Sequence, residues 1–198
     1  VVSSPPPPAN DSCAAATTLT PGTGLQTVFG NTSTATGDNV GCAGSGGADV
    51  WYTFTVPAGG DRVVYIDTAD GGGWDTVLDL HSGSCTGPTI AGGCSDDACA
   101  GQRSQLALVL SPGTYYLAVD GFSAAASGNF TLRYQWSTCV AGTQVTADGT
   151  VCGTTSGFGT VGSGCSSTGA PERYYFLGVC PGRTVDVVAN DRHFGAAL

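Results

Sequence analysis

The side chains able to do chemistry in this chain are carboxylates, cysteines and aromatics. Fifteen acidic groups stand against six arginines and no lysine, a net charge of −9. Ser95-Asp96-Asp97 lies between Cys94 and Cys99, and a cysteine-closed loop with adjacent carboxylates can hold a cation. The simpler reading is that these Asp side chains bond their own backbone as Asx-turns. Asp67, Asp70 and Asp75 surround Gly71–Gly73 but lack the spacing of an EF-hand loop. His81 and His193 are isolated, and neither a G-x-S-x-G elbow nor an H-E-x-x-H motif occurs. A paired-carboxylate glycosidase would have Glu172 as its one glutamate. No catalytic constellation emerges, and an enzyme is not expected.

Nine cysteines without a C-x-x-C pair point to disulfides in an oxidising compartment rather than to zinc. The expected bridges are Cys13–Cys42 and Cys139–Cys165, with Cys85 bonded to Cys94 or Cys99 and Cys152 to Cys180. An odd count leaves at least one cysteine free, bonded between chains, or with its partner elsewhere. Trp51, Trp74, Tyr115, Tyr116, Phe122 and Trp136 could stack against sugars, but aromatics in strands are mostly core.

These residues are positioned by short, regularly punctuated strands. Val50–Val56 alternates Trp51, Thr53 and Thr55 against Tyr52, Phe54 and Val56, a half-buried strand with one aromatic face. Further strands are expected at Gln26–Phe29, Arg62–Asp67, Asp75–Leu80, Leu106–Leu110, Thr114–Val119 and Asn129–Gln135. Asn31–Gly47 and Cys85–Gly101 read as loops, and Ser111-Pro112-Gly113 as a tight turn. No amphipathic helix interrupts them, so the fold class is all-β, an antiparallel β-sandwich or jelly roll. Val1–Ala9, with four consecutive prolines, is a semi-rigid extended linker.

The second half echoes the first. A shift of 123 positions sets Cys42 on Cys165, Trp51-Tyr52 on Tyr174-Tyr175, Val56 on Val179 and Gly59 on Gly182. Cys13 falls on Cys139 with a small length change, and Trp74 and Leu78 fall on Phe194 and Leu198. The expected division is a linker over 1–9, a complete sandwich over 10–136 and a partial second copy over 137–198. A half sandwich leaves sheet edges unpaired. Either the chain continues beyond this sequence, or a neighbouring chain supplies the missing strands and builds a head-to-tail homopolymer.

NDSCAAATTL, DVWYTFTVPAG, WDTVLDL, PGTYYLAVDGF and GNFTLR, in that order, resemble the bacterial pre-peptidase C-terminal domain. The likeness is to the Cys-rich form repeated in secreted proteins of myxobacteria-like organisms. It covers about Asn10–Trp136 and, more weakly, Thr138–Leu198. It implies a non-catalytic jelly-roll-like sandwich appended to exported proteins, some of which bind calcium near the N-terminal end, or collagen or other polymers. The family's Asn-Asp calcium pair matches Asn10-Asp11, and later acidic positions match Asp38 and Asp49. The acidic residues that precede the pair in the family are Pro8 and Ala9 here. Calcium needs six to eight oxygens, so the four residues must converge by folding the N-terminal segment over the Asn31–Gly47 loop.

The acidic balance excludes nucleic acid, which requires a basic patch, and disfavours an anionic membrane surface. No run approaches the length of a membrane span. The sequence lacks Met, so a removed signal peptide or a longer parent chain is expected. Three N-glycosylation sequons begin at Asn10, Asn31 and Asn129. The expected function is a secreted, structural or adhesive protein of disulfide-stapled sandwiches, with self, glycans or an extracellular polymer as partner. The alternative is a carbohydrate- or polymer-binding accessory module of a secreted hydrolase.

Overall fold

The computed structural model describes residues 4–20, 25–39, 42–43, 46–70, 73–98, 101–140, 143–144, 175–176 and 187. A 3₁₀ turn at Cys13–Ala15 precedes β1 (Thr17–Thr18), β2 (Gln26–Asn31), β3 (Val50–Val56), β4 (Arg62–Asp70), β5 (Thr76–Ser82), β6 (Thr89–Asp96), β7 (Gln105–Leu110), β8 (Gly113–Gly121) and β9 (Asn129–Val140). One sheet has the order β1-β3-β8-β5-β6 and the other β2-β9-β4-β7. All pairings within them are antiparallel except β1 with β3. From β3 to β9 the chain changes sheet at every connection but the β5–β6 hairpin, which gives the expected jelly-roll-like sandwich. No helix among the described residues is long and apolar enough to cross a membrane.

Period-2 alternation sets the core. Val50, Tyr52, Phe54 and Val56 of β3 point inward with Leu78 and Leu80 of β5 and Tyr115, Leu117 and Val119 of β8. They meet Val64, Ile66, Leu106, Leu110, Phe130, Leu132, Tyr134 and Trp136 from the facing sheet. Phe54 stacks between Tyr115 and Trp136, with ring centroids 5.5 and 5.1 Å away. Each such fully buried side chain contributes roughly 1.5–3 kcal/mol. Ser111-Pro112 makes the β7–β8 connection, and the Tyr115 hydroxyl closes it by donating to the Ser111 carbonyl at 2.8 Å.

The expected strands are all present, some longer than their apolar runs. β6 was expected as loop. Its sequence TIAGGCSD carries two central glycines and little apolar periodicity, and it forms because β5 offers an edge to pair with. At Gly92 φ is +73°, a conformation that favours glycine.

Beyond β9, β10 (Thr143–Gln144) and β11 (Tyr175–Phe176) pair in parallel, Thr143 with Tyr175 and Gln144 with Phe176. In the first sheet Thr17 pairs in parallel with Tyr52 and Thr18 with Thr53.

The disulfides differ from expectation. Cys13 bonds Cys85, not Cys42, with Cα atoms 6.2 Å apart. Cys42 bonds Cys94, with Cα atoms 5.6 Å apart. Cys85 therefore pairs with neither Cys94 nor Cys99. The reason is topological: β6 and the turn before it, taken for loop, lie beside the entry segment and the 32–49 loop. Cys13–Cys42 was the template for Cys139–Cys165, which loses its basis. The Cys139 side chain, Cys99, Cys152, Cys165 and Cys180 lie outside the described residues, as do Glu172 and His193.

Candidate functional site

The chemistry gathers at the end of the first sheet where β3 begins and β8 finishes, under the loop 32–49. The entry segment fastens there first. Asn10 brackets Trp51: its carbonyl accepts from Trp51 N at 2.9 Å, and its Nδ2 donates to Trp51 O at 3.0 Å. Asp11 receives Thr36 N at 2.6 Å and Thr36 Oγ1 at 3.1 Å on its two oxygens. Asp49 Oδ2 accepts from Asp38 N at 2.6 Å and Asn39 N at 2.8 Å. The four calcium candidates thus surround one loop, but Asp11 and Asp49 spend three carboxylate oxygens on that loop, and Asp38 is exposed. The unbonded buried oxygen in the set is Asp49 Oδ1.

The outward face of β3, β8 and β5 carries what sequence reading missed. Trp51 stands opposite Ala118 and Ala118 opposite Asp79, so one row runs Trp51–Ala118–Asp79. Val50 pairs with Val119 and Val77 with Asp120, which sets Asp49 across from Asp120 in the next row. Asp49 and Asp79 are 0% exposed and Asp120 is 2% exposed. Asp79 is well supplied: Oδ1 accepts from Thr89 Oγ1 at 2.6 Å, and Oδ2 from Asn39 Nδ2 and Cys42 N, both at 3.2 Å. His81 Nε2 lies 3.3 Å from the same Oδ2, off the line of a hydrogen bond. The other ring nitrogen, Nδ1, is 2.8 Å from the Gly87 carbonyl. A carbonyl only accepts, so Nδ1 carries the proton, and Nε2 is protonated only in the imidazolium.

Asp120 is the poorly supplied member. Its Oδ1 is buried without a partner. Burial, then the charges of Asp49 and Asp79, push its pKa up to about 7, against smaller opposing contributions from Gly121 N–H and Asn39. Burial also raises Asp49, opposed by the Asn39 and Asp38 amides and by the Trp51 indole beside it. The signal for these residues was an acid inside an apolar strand, Asp79 in VLDL and Asp120 after YYLAV. Period-2 reading puts both on the outward face, which sequence alone takes for solvent.

Asp75, Asp96 and Asp97 form a second cluster, with one carboxylate oxygen from each within 4.8 Å of the others, the one such group among the described residues. Burial, then the neighbouring charges, raise the pKa of Asp75 and Asp96. Asp67 belongs elsewhere, in a two-bond pair with Arg133 at 2.8 and 3.0 Å on the other sheet. Of the aromatics, Trp51, Tyr115 and Trp136 are buried and Phe122 is exposed. Phe29 on β2, not among the sequence candidates, is 81% exposed. It lines a groove of about 410 Å³ with Pro6, Pro8, Val28, Asn31 and Thr34.

No family model and no curated protein matches the chain. Among solved structures it is similar to a periplasmic inhibitor of g-type lysozyme, PliG of Aeromonas hydrophila. Identity is 20%, over 62% of this chain and 96% of that one, with a TM-score of 0.40. It is also similar to the pre-peptidase C-terminal domain of collagenase from Bacillus anthracis, the domain type its motifs resemble. Here identity is 18%, over 68% of this chain and 100% of that one, with a TM-score of 0.41. At these values the fold assignment rests on the strand pairings themselves.

Proposed function

We propose that the protein is a secreted, non-catalytic structural or adhesive component built of disulfide-stapled β-sandwich repeats. The observation that carries this reading is the β10–β11 pair. Shifting Thr17-Thr18 by 126 positions and Tyr52-Thr53 by 123 gives Thr143-Gln144 and Tyr175-Phe176, the residues that pair, in the same parallel sense and register. The disulfide pattern extends the argument. Cys139 and Cys165 are the equivalents of Cys13 and Cys42, whose partners are Cys85 and Cys94. A neighbouring chain that donates strands to the second copy would also supply the partners of Cys139 and Cys165. Two native disulfides fit an oxidising, extracytoplasmic setting. Strands donated head to tail would make a filament. Electron microscopy and light scattering of the non-reduced protein test this. Fibres, or ladders on non-reducing gels, support it, and a discrete monomer with no intermolecular bridge removes the filament.

A second reading, a polymer- or carbohydrate-binding accessory module, is favoured by Phe29 and its groove. An exposed ring beside amide and hydroxyl groups is suited to stacking on a sugar or an extended chain. Binding to insoluble polysaccharides or fibrous proteins that is lost in Phe29→Ser supports it. Equal retention of the variant sinks it.

A further inference from the structure

We propose that β2 is a self-association edge: two copies of this chain pair along it, antiparallel about a two-fold axis at Phe29, and join their β2-β9-β4-β7 sheets. Strand register decides which groups β2 offers. Thr32 N donates to the Gly128 carbonyl at 2.9 Å, and the β2–β9 ladder runs on from there without a shift. Bonded and non-bonded positions alternate in an antiparallel pair. Val28 and Gly30, like Thr32, therefore bond β9, whereas Thr27, Phe29 and Asn31 aim N–H and C=O away from it. β2 ends its sheet, and these three residues are exposed. The other edges among the described residues are better protected. β1 has two residues. β6 and β7 lie together, with Gln105 N donating to Ser95 Oγ at 2.9 Å, and the β5–β6 ladder slips between Asp79 and His81. β2, with the sequence QTVFGN, has none of the usual guards against pairing, a charge, a proline or a bulge.

Charge and register together select a second copy as the occupant. Each chain carries −9, so two copies meet with least repulsion on an uncharged strip, and no residue from Ser12 to Gly37 is charged. Self-pairing must also keep both cores on one side of the joined sheet, which sets residues of the same face opposite each other. With Phe29 opposite Phe29, Thr27 stands opposite Asn31, and every N–H and C=O that β2 turns outward finds a partner. Centring on Val28 or Gly30 instead carries Asn31 or Thr27 past the end of the strand. The Phe29 ring, 81% exposed in one chain, then meets its own copy on the outward face and sheds water there. Pro6 and Pro8 line the groove beside Phe29, but they have no N–H to give and cannot take the strand's place. A two-fold contact closes on itself. It therefore does not depend on head-to-tail donation, and it covers the ring that a bound polymer would use.

Sedimentation of the full chain, free of glycan at Asn31, over a range of concentrations tests the contact together with residue-resolved hydrogen exchange. The wild type is expected to pass from one chain to two as concentration rises. Exchange at the Thr27, Phe29 and Asn31 amides slows over the same range, while the Val28 and Gly30 amides, bonded to β9, stay protected throughout. Phe29→Lys sets two like charges face to face at the axis. It is expected to abolish the concentration dependence at the three outward amides and the two-chain species, with Val28 and Gly30 still protected because the strand is intact. Phe122→Lys, which changes an exposed ring elsewhere, keeps the wild-type behaviour. Three results overturn the proposal: outward amides that exchange freely at every concentration, whatever the mass; protection that persists in Phe29→Lys; or its loss in Phe122→Lys as well. Fibres or disulfide ladders with those amides still free would keep the head-to-tail reading and overturn this one.

Discussion

Asp120→Asn in metal-free protein is expected to stabilise the fold, and to do so more as pH rises. The acid's pKa stands at 3.8 ordinarily and about 7 in the folded chain. The folded state therefore holds a proton that the unfolded state has released throughout that interval. Stability is full below 3.8, falls as pH rises, and levels off above about 7. At 1.36 kcal/mol per pKa unit, the whole interval corresponds to about 4 kcal/mol. Asparagine keeps the shape and cannot ionise, so it escapes the loss. The expected gain is about 4 kcal/mol at pH 8, and about 1–2 kcal/mol at pH 5, where the folded wild type is still protonated. Urea unfolding in chelator at the two pH values, fitted with a common slope, measures both. A gain equal at pH 5 and pH 8, or none at pH 8, would refute the claim that Asp120 is buried among like charges.

Three other perturbations probe the frame. Replacing Cys42 and Cys94 together by serine opens a bridge spanning 52 positions. It should cost about 4 kcal/mol by loop closure and speed hydrogen exchange at the Asn39 and Cys42 amides. Gly47→Ala drives its Cβ into the Gly121 carbonyl, backbone against backbone, and should lower stability by about 1–3 kcal/mol in thermal melting. Asp67→Asn replaces the fully buried charge that faces Arg133 by a neutral amide and should cost about 1–3 kcal/mol in denaturant titration, more than the loss of an exposed pair.

The sandwich was legible because its inner faces are strict. Tyr52, Phe54 and Val56, or Leu78 and Leu80, recur at every second position and can be buried only by a facing layer. The proposed repeat rests on Cys42, Tyr52 and Gly59 finding Cys165, Tyr175 and Gly182 at one spacing. β6 was not legible, because its pairing depends on the β5 edge rather than on its own residues. That one omission propagated. With Cys85–Gly101 taken for loop, cysteines near in sequence looked like partners, whereas the strand carries Cys94 under the 32–49 loop and the turn before it carries Cys85 to Cys13.

The candidate site was half legible for a related reason. Asp11, Asp38 and Asp49 lie in polar loops and look like ligands, yet Asp11 and one oxygen of Asp49 act as acceptors that fix the loop. Asp79 and Asp120 lie in apolar strands and look like solvent-facing positions, yet they are buried. Period-2 alternation gives the face of a residue, not whether another part of the chain covers that face. Coverage here is a long-range event: Cys94 holds Cys42, Asp79 receives the Cys42 amide, and Asp49 receives the amides before it. The same closure that shields Trp51 and Ala118 from water traps Asp120 without a donor for its second oxygen. Opening the Cys42–Cys94 bridge should therefore do two things together, lowering stability and relieving the elevated pKa of Asp120. A reduced or serine-substituted protein whose pH dependence between 4 and 7 is flatter than that of the wild type would tie the staple to the charge it covers, and an unchanged pH dependence would separate them.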